Sequence, residues 1–401
     1  MTRSRPNLRK VLTYAKTTLG LERFLEEPGD GRVRPQISAK DLVWSQLGCQ
    51  ILLRSSFHSV ERLMASGATR SLGLSRSFRE DSLAYFNERL DPQGTRRALA
   101  ETAKRAKRNK VFRGQLRTGL AIDGTGAGRC SSPRKVCEYC RPYTNAEGKV
   151  IGHKHEVAMI AVTGVGMPLP LDVEPYGQGD SELAAGTRLL ERSMDVLGPR
   201  FADYVVCDAK YATSGFLNTA TRRGLHAVVR LKENLPALHQ RATVRFNGRP
   251  HDEVIDYDGI RVEIWDDDEM QPWEGLEWES VRVIRYRYAS RKGEVVDAYW
   301  LTNYSKKETS SSALFRLAKS RWEIENDGFN EAKTRHGMEH ICHHDANAVL
   351  VGWLLLLLSL VIERLFRLCF LHRGSHPTRS PADLRELLLL ALGRGKHHDT
   401  S

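Results

Sequence analysis

"ADYVVCDAKYATSGFLNTATRRGLHAVVRLK" (residues 202–232) reads as a strand, a helix and a second strand. The first apolar run ends at an acid, Asp208; a helical stretch follows to Arg223, and "LHAVVRLK" (225–232) is apolar again. Strands alternating with helices at this spacing predict an α/β fold with a mainly parallel sheet. Functional groups in such sheets gather at the carboxyl ends of strands. Asp208 is therefore a candidate for chemistry, although an acid there is also a common turn former or helix cap.

Working outward, "RTGLAIDGTGAG" (117–128) repeats the pattern, an apolar strand that reaches Asp123 and a glycine-rich turn. "GTGAG" lacks the Lys-Ser/Thr ending of a phosphate loop. "HEVAMIAVTG" (155–164) and "MPLPLDVEPY" (167–176) read as the next strands, and Ser181–Leu197 as an amphipathic helix at whose polar start Asp180 and Glu182 suit capping groups better than assistants to the acids. Residues 236–300 alternate in β fashion around "VRVIRYRY" (281–288) with little helix signal, and they read as a β-rich insertion. Its tryptophans, Trp265, Trp273 and Trp278, suit a core better than a base-stacking platform. "AYWLTNY" (298–304) returns to the main sheet, and one helix is expected over 311–335.

That helix carries "RWEIENDGFNEAKTRHG" (321–337). Glu325 shares a face with Trp322 and Phe329, because residues three and four apart are helix neighbours. An acid on a packed face is costly unless an arginine or a metal ion pairs with it. Glu323 and Glu331 are its rivals for that role.

Composition bounds the rest. The 401 residues are 41% apolar and 27% charged, the make-up of a soluble globular protein. Residues 1–120 hold 24 Lys and Arg against 11 Asp and Glu, whereas the remainder is nearly balanced. A helical N-terminal module whose excess charge peaks at Lys104, Arg105, Lys107 and Arg108 suggests nucleic acid as partner. The apolar run Ala348–Ile362 is 15 residues long, short of the roughly 20 needed to span a bilayer, so a buried core helix is expected. Seven cysteines without a secretory pattern point to a reducing cytoplasm.

"AIDGTG", "VVCDAKYA" and "RWEIENDGFNEAK" together resemble the DDE transposases of bacterial insertion sequences, over roughly 117–370. The resemblance implies an RNase H-like mixed-sheet core. Its divisions would be a helical basic DNA-binding module (1–116), the first part of the catalytic core (117–235), the β-rich insertion (236–300), the remainder of the core with the Glu-bearing helix (301–372) and a polar, frayed tail (373–401). It implies that Asp123, Asp208 and Glu325 hold Mg²⁺ (or Mn²⁺) and that Arg321 clamps a phosphate or carboxylate. Two such ions about 4 Å apart activate a water and neutralise a leaving oxygen. The expected activity is cleavage at the element's terminal inverted repeats and joining of the freed 3′-hydroxyl to target DNA, by a homodimer on double-stranded DNA in a bacterial, nucleoid-associated setting. The rival readings are a DNA-binding derivative that no longer cuts and a nuclease without strand transfer.

The family signature departs here in two places. Ala318 stands where it has a tyrosine, and Ala332 where it has a lysine, with Lys333 one step late. Seven helical residues return to within about 20° of the start, but eight overshoot by about 80°. Either a bulge at Gly328 restores Lys333, or Lys333 and Arg335 reach DNA differently.

After Asp123 comes "RCSSPRKVCEYCRPYTNAEGKVIGHKHE" (129–156). Cys137 and Cys140 have the Cys-x2-Cys spacing of a zinc knuckle, and Cys130, His153 and His155 lie close by. The simplest structural Zn²⁺ set is the three cysteines with one histidine, taken as His153.

Overall fold

A computed structural model describes residues 6–25, 29–68, 77–112, 117–130, 136–341, 343–371 and 380–394. Ten strands form one sheet: β1 Gly119–Cys130, β2 Arg141–Thr144, β3 Val150–Thr163, β4 Leu169–Pro175, β5 Tyr204–Cys207, β6 His226–Leu231, β7 Glu253–Tyr257, β8 Ile260–Met270, β9 Val281–Ala289 and β10 Val295–Thr302. The principal helices are α1 Ala39–Ile51, α2 Pro92–Arg108, α3 Glu182–Leu197, α4 Ser214–Arg222, α5 Pro236–Phe246, α6 Ser311–Lys319, α7 Ala346–Phe366 and α8 Pro381–Arg394.

The strand order is β2-β3-β1-β5-β6-β10-β9-β8-β7, with β4 also paired to β3. The β4-β3-β1-β5-β6 part has the connectivity of an RNase H-like core. Only β1–β5 and β5–β6 are parallel, so the sheet is mixed and not mainly parallel. Connection length explains this. Parallel neighbours need a crossover, which α3 and α4 supply, whereas β2–β3, β3–β4, β7–β8, β8–β9 and β9–β10 follow one another directly in the chain and so run antiparallel.

The expected insertion is part of the same sheet. It opens with a helix, α5, started by Pro236 at its first turn. β10 then pairs antiparallel with β6, and β9, β8 and β7 extend the edge. Trp265, Trp273 and Trp278 each donate their indole N–H internally, to Arg249 O, Ser214 Oγ and Thr221 Oγ1. They are core and not a stacking platform.

α7 is apolar all round and lies in the interior, as such a helix must in a globular fold. Among the described residues, Ala346–Leu371 is the helix long and apolar enough to cross a membrane, and 94% of its apolar window is buried within the protein. The N-terminal helices share its core, α1 and α2 both packing on α7. Arg96 of α2 also binds Asp172 of β4 at 3.0 Å, and Arg192 of α3 meets the same carboxylate at 2.7 Å. The tail is not uniformly frayed, since α8 buries Leu384 and Leu388. The rest of the expected tail (373–379 and 395–401), like module residues 1–5, 26–28, 69–76 and 113–116, lies outside the described residues.

The expected single helix over 311–335 is broken. α6 ends at Lys319, a π-helical turn spans Ile324–Phe329, and a short α turn follows over Asn330–Thr334.

Candidate active site

Asp123 does not end its strand, because Gly124 and Gly126 carry β1 on in register with β3. It does lie one residue beyond the last β1–β5 pair, Ile122 with Cys207. Asp208 lies one residue beyond Cys207. Neighbouring parallel strands are about 5 Å apart and paired positions share a face, so the two acids are side by side at the mouth of the sheet. Asp208 also caps the 3₁₀ turn Ala209–Tyr211, accepting from Lys210 N at 2.6 Å.

Arg321 brings the third acid in. Its Nη1 donates to Asp123 Oδ2 at 3.0 Å and to Glu325 Oε1 at 2.8 Å. Asp208 adds to the negative field on the same guanidinium. Burial is the main influence on Asp123 and pushes its carboxyl up to about 7; Arg321 opposes this and Glu325 reinforces it. Crowded carboxylates sharing one cation are the donor set a divalent ion would take over, and the arginine stands in its place.

The rival acids point elsewhere. Glu323 accepts from Thr163 Oγ1 at 3.0 Å and from Gly164 N at 3.1 Å, at the far end of β3. Glu331 accepts from Arg364 Nε at 2.7 Å and faces Arg367 at 3.6 Å.

The π turn bears on the late lysine. Such a turn inserts one extra residue into the helical path, so the eight steps from Glu325 to Lys333 advance as about seven would. Gly328 lies inside that turn. Lys333 Nζ faces Glu339 at 3.6 Å, and Arg335 is exposed.

Lys210 escapes sequence reasoning, and Glu182 enters it only as a lesser alternative. Glu182 reads as a capping group, but Ser181 supplies the cap, accepting from Ala184 N. A Cβ on Gly124 would lie 2.3 Å from Glu182 Cδ, so the glycine beside Asp123 makes room for this fourth carboxylate. Lys210 Nζ then meets Glu182 Oε2 at 2.8 Å. The available signals were a glycine just after one acid and a lysine two after the other.

The basic run is partly engaged within the protein, with Arg108 still exposed. Lys104 Nζ donates to Val196 O and Lys107 Nζ to Phe201 O, each at 2.5 Å. Arg105 and Arg108 bind Glu101 at 3.1 and 2.7 Å. The two lysines thus tie α2 to the chain around the end of α3, while the two arginines pair within α2.

The cysteine cluster forms with a different histidine. His155, not His153, closes on Cys137 and Cys140, while Cys130 Sγ lies 4.0 Å from His344 Nε2.

The family model described as "Transposase DDE domain" matches residues 114–390. A search of curated proteins finds no match. Among solved structures, the piggyBac transposase synaptic complex with hairpin DNA is similar at 11% identity and a TM-score of 0.42, covering 98% of this chain and 80% of that one.

Proposed function

Because this chain belongs to the transposase DDE domain family, we propose that it cuts DNA at the terminal inverted repeats of its own element and joins the freed 3′-hydroxyl to target DNA. The observation that carries this reading is the convergence of Asp123, Asp208 and Glu325 around one arginine. Asp123, Asp208 and Glu325 would hold Mg²⁺ or Mn²⁺, with Glu182 at the margin. When bound, such ions activate a water near neutral pH and neutralise the leaving oxygen. Arg321, released from the carboxylates, is placed to take a phosphate oxygen, for which its planar fork is suited. Lys333 and Arg335 follow on the same segment and reach for the DNA backbone. On this reading the protein acts as a homodimer, one protomer for each end, in the bacterial cytoplasm with the nucleoid.

The test combines a duplex carrying the element's end, a supercoiled target and Mg²⁺. Nicks with 3′-hydroxyl ends and joined products are expected, and both should vanish with chelator. Cleavage without joining would favour a nuclease on the same core. Binding without any cleavage would favour a derivative that no longer cuts.

A further inference from the structure

We propose that Cys137, Cys140 and His155 hold a structural zinc ion that fastens the β2–β3 hairpin beside the acid pocket. The three ligand atoms already converge. Cys137 Sγ and Cys140 Sγ are 3.7 Å apart, and His155 Nε2 lies 3.2 and 3.5 Å from them. With Zn–S of about 2.3 Å and Zn–N of about 2.0–2.1 Å, tetrahedral angles require about 3.8 Å between sulfurs and about 3.6 Å from sulfur to nitrogen. The spacing is that of ligands around one small ion.

The local backbone supports the same geometry. Cys140 N donates to Cys137 O at 3.0 Å, closing a tight turn, and Cys137 N donates to Cys140 Sγ at 3.4 Å. His155 is fully buried, and its Nδ1 has no hydrogen-bond partner, so the ring's polar contacts are with the two sulfurs. Thiolate and imidazole are soft and borderline donors that select zinc over the hard ions suited to the carboxylate pocket. Binding would expel both thiol protons to solvent.

A second cluster, Glu331 with His336 and Glu363, is also close-set. Arg364 and Arg367 already neutralise its carboxylates, so it is an ion-pair network.

The zinc site has a mechanical role. On β3, His155 is four residues from Met159, the partner of Asp123, or about 13 Å along the strand. Its ring packs edge-on to Trp353 of α7. A Cβ on Gly177 would lie 2.4 Å from Glu138 O, so the Cys137–Cys140 turn rests directly on the chain leading to Glu182. The ion would hold that wall of the pocket in place.

The test uses the full chain expressed with added zinc and purified without chelator. About one zinc per chain is expected, falling to none in the Cys137→Ser/Cys140→Ser variant. Should that variant fail to fold, Cys137→His keeps a ligand, and cobalt substitution then reports the site. The sulfur-to-cobalt charge-transfer band should fall to about half that of the wild type. Chelator should lower the melting temperature of the wild type. Zinc-free wild type indifferent to chelator, or zinc retained by the double serine variant, would overturn the proposal. Neither readout depends on DNA cleavage.

Discussion

Two knots of carboxylates and arginines draw acids six residues apart, Glu325 and Glu331, and they are built to opposite rules. In the first, Arg321 serves Asp123 and Glu325 with Asp208 close by, so acids outnumber the arginine three to one. In the second, Glu331 and Glu363 face Arg364 and Arg367, two against two, and the arginines are 2% and 7% exposed. A buried knot must balance its charge, because an unpaired buried ion is strongly destabilising. The first knot tolerates imbalance because Glu325 is 39% exposed and Asp123 can retain a proton. The balanced knot holds the fold, and the unbalanced one is the site where a cation is proposed. They are mechanically joined, since Arg364 also donates to Asp327 O inside the π turn that carries Glu325.

The largest expected effect separates chemistry from stability. Asp123→Ala or Asp208→Ala should remove several kcal/mol of transition-state stabilisation, about 10³-fold or more in cleavage rate. Thermal unfolding should show no loss for Asp123→Ala, which removes a crowded charge, and at most about 1 kcal/mol for Asp208→Ala, which also loses the cap on Lys210 N. A variant that melts early would make the first knot structural too.

Stability should respond the other way at the second knot. Arg364→Ala leaves Glu331 and Glu363 with Arg367 alone and should cost about 3–5 kcal/mol in denaturant titration. Arg321→Ala should cost about 1 kcal/mol or less, since Asp123 takes up a proton instead. Equal losses would erase the distinction.

The pH dependence sharpens it further. Burial raises Asp123 to about 7 from an ordinary value of 3.8, so the folded state holds its proton more tightly than the unfolded state does. Its contribution is therefore fully present below about pH 4 and is lost as pH rises through about 7, by at most about 4 kcal/mol. Metal-free wild type compared with Asp123→Asn should show this difference, and saturating Mg²⁺ should abolish it. An unchanged difference between pH 4 and 7 would show that Asp123 ionises freely in the folded protein.

The smallest effect concerns the sheet extension. Trp278→Phe loses one hydrogen bond to Thr221 and should cost about 1 kcal/mol, with DNA affinity unchanged. Weakened DNA binding in a stable variant would return that tryptophan to the interface.

Sequence reading reached the two aspartates because apolar runs ending in acids are local signals. Glu325 was legible for a similar reason, lying on the face of Trp322 and Phe329. Partner choice between distant strands is not local, so β7–β9 read as an inserted body when they extend the main sheet beyond β10. The same limit left Glu182 as a lesser alternative, since it looks like any acid at a helix start until Gly124 is set against it. Lys104 and Lys107 read as a DNA-facing run because composition cannot show that carbonyls of α3 and the loop after it await them. The one-residue offset of Lys333 was visible, and the π turn around Gly328 accounts for it physically.

The central claim is that Glu325, and neither neighbour, completes the acid set. Single-turnover nicking of an end-containing duplex with Mg²⁺, run on Glu325→Gln, Glu323→Gln and Glu331→Gln, tests it most directly. The expected result is no detectable nicking by folded Glu325→Gln, with Glu323→Gln and Glu331→Gln retaining cleavage in proportion to their folded fraction. Nicking by Glu325→Gln at the wild-type rate, with either of the others folded but inactive, would contradict it.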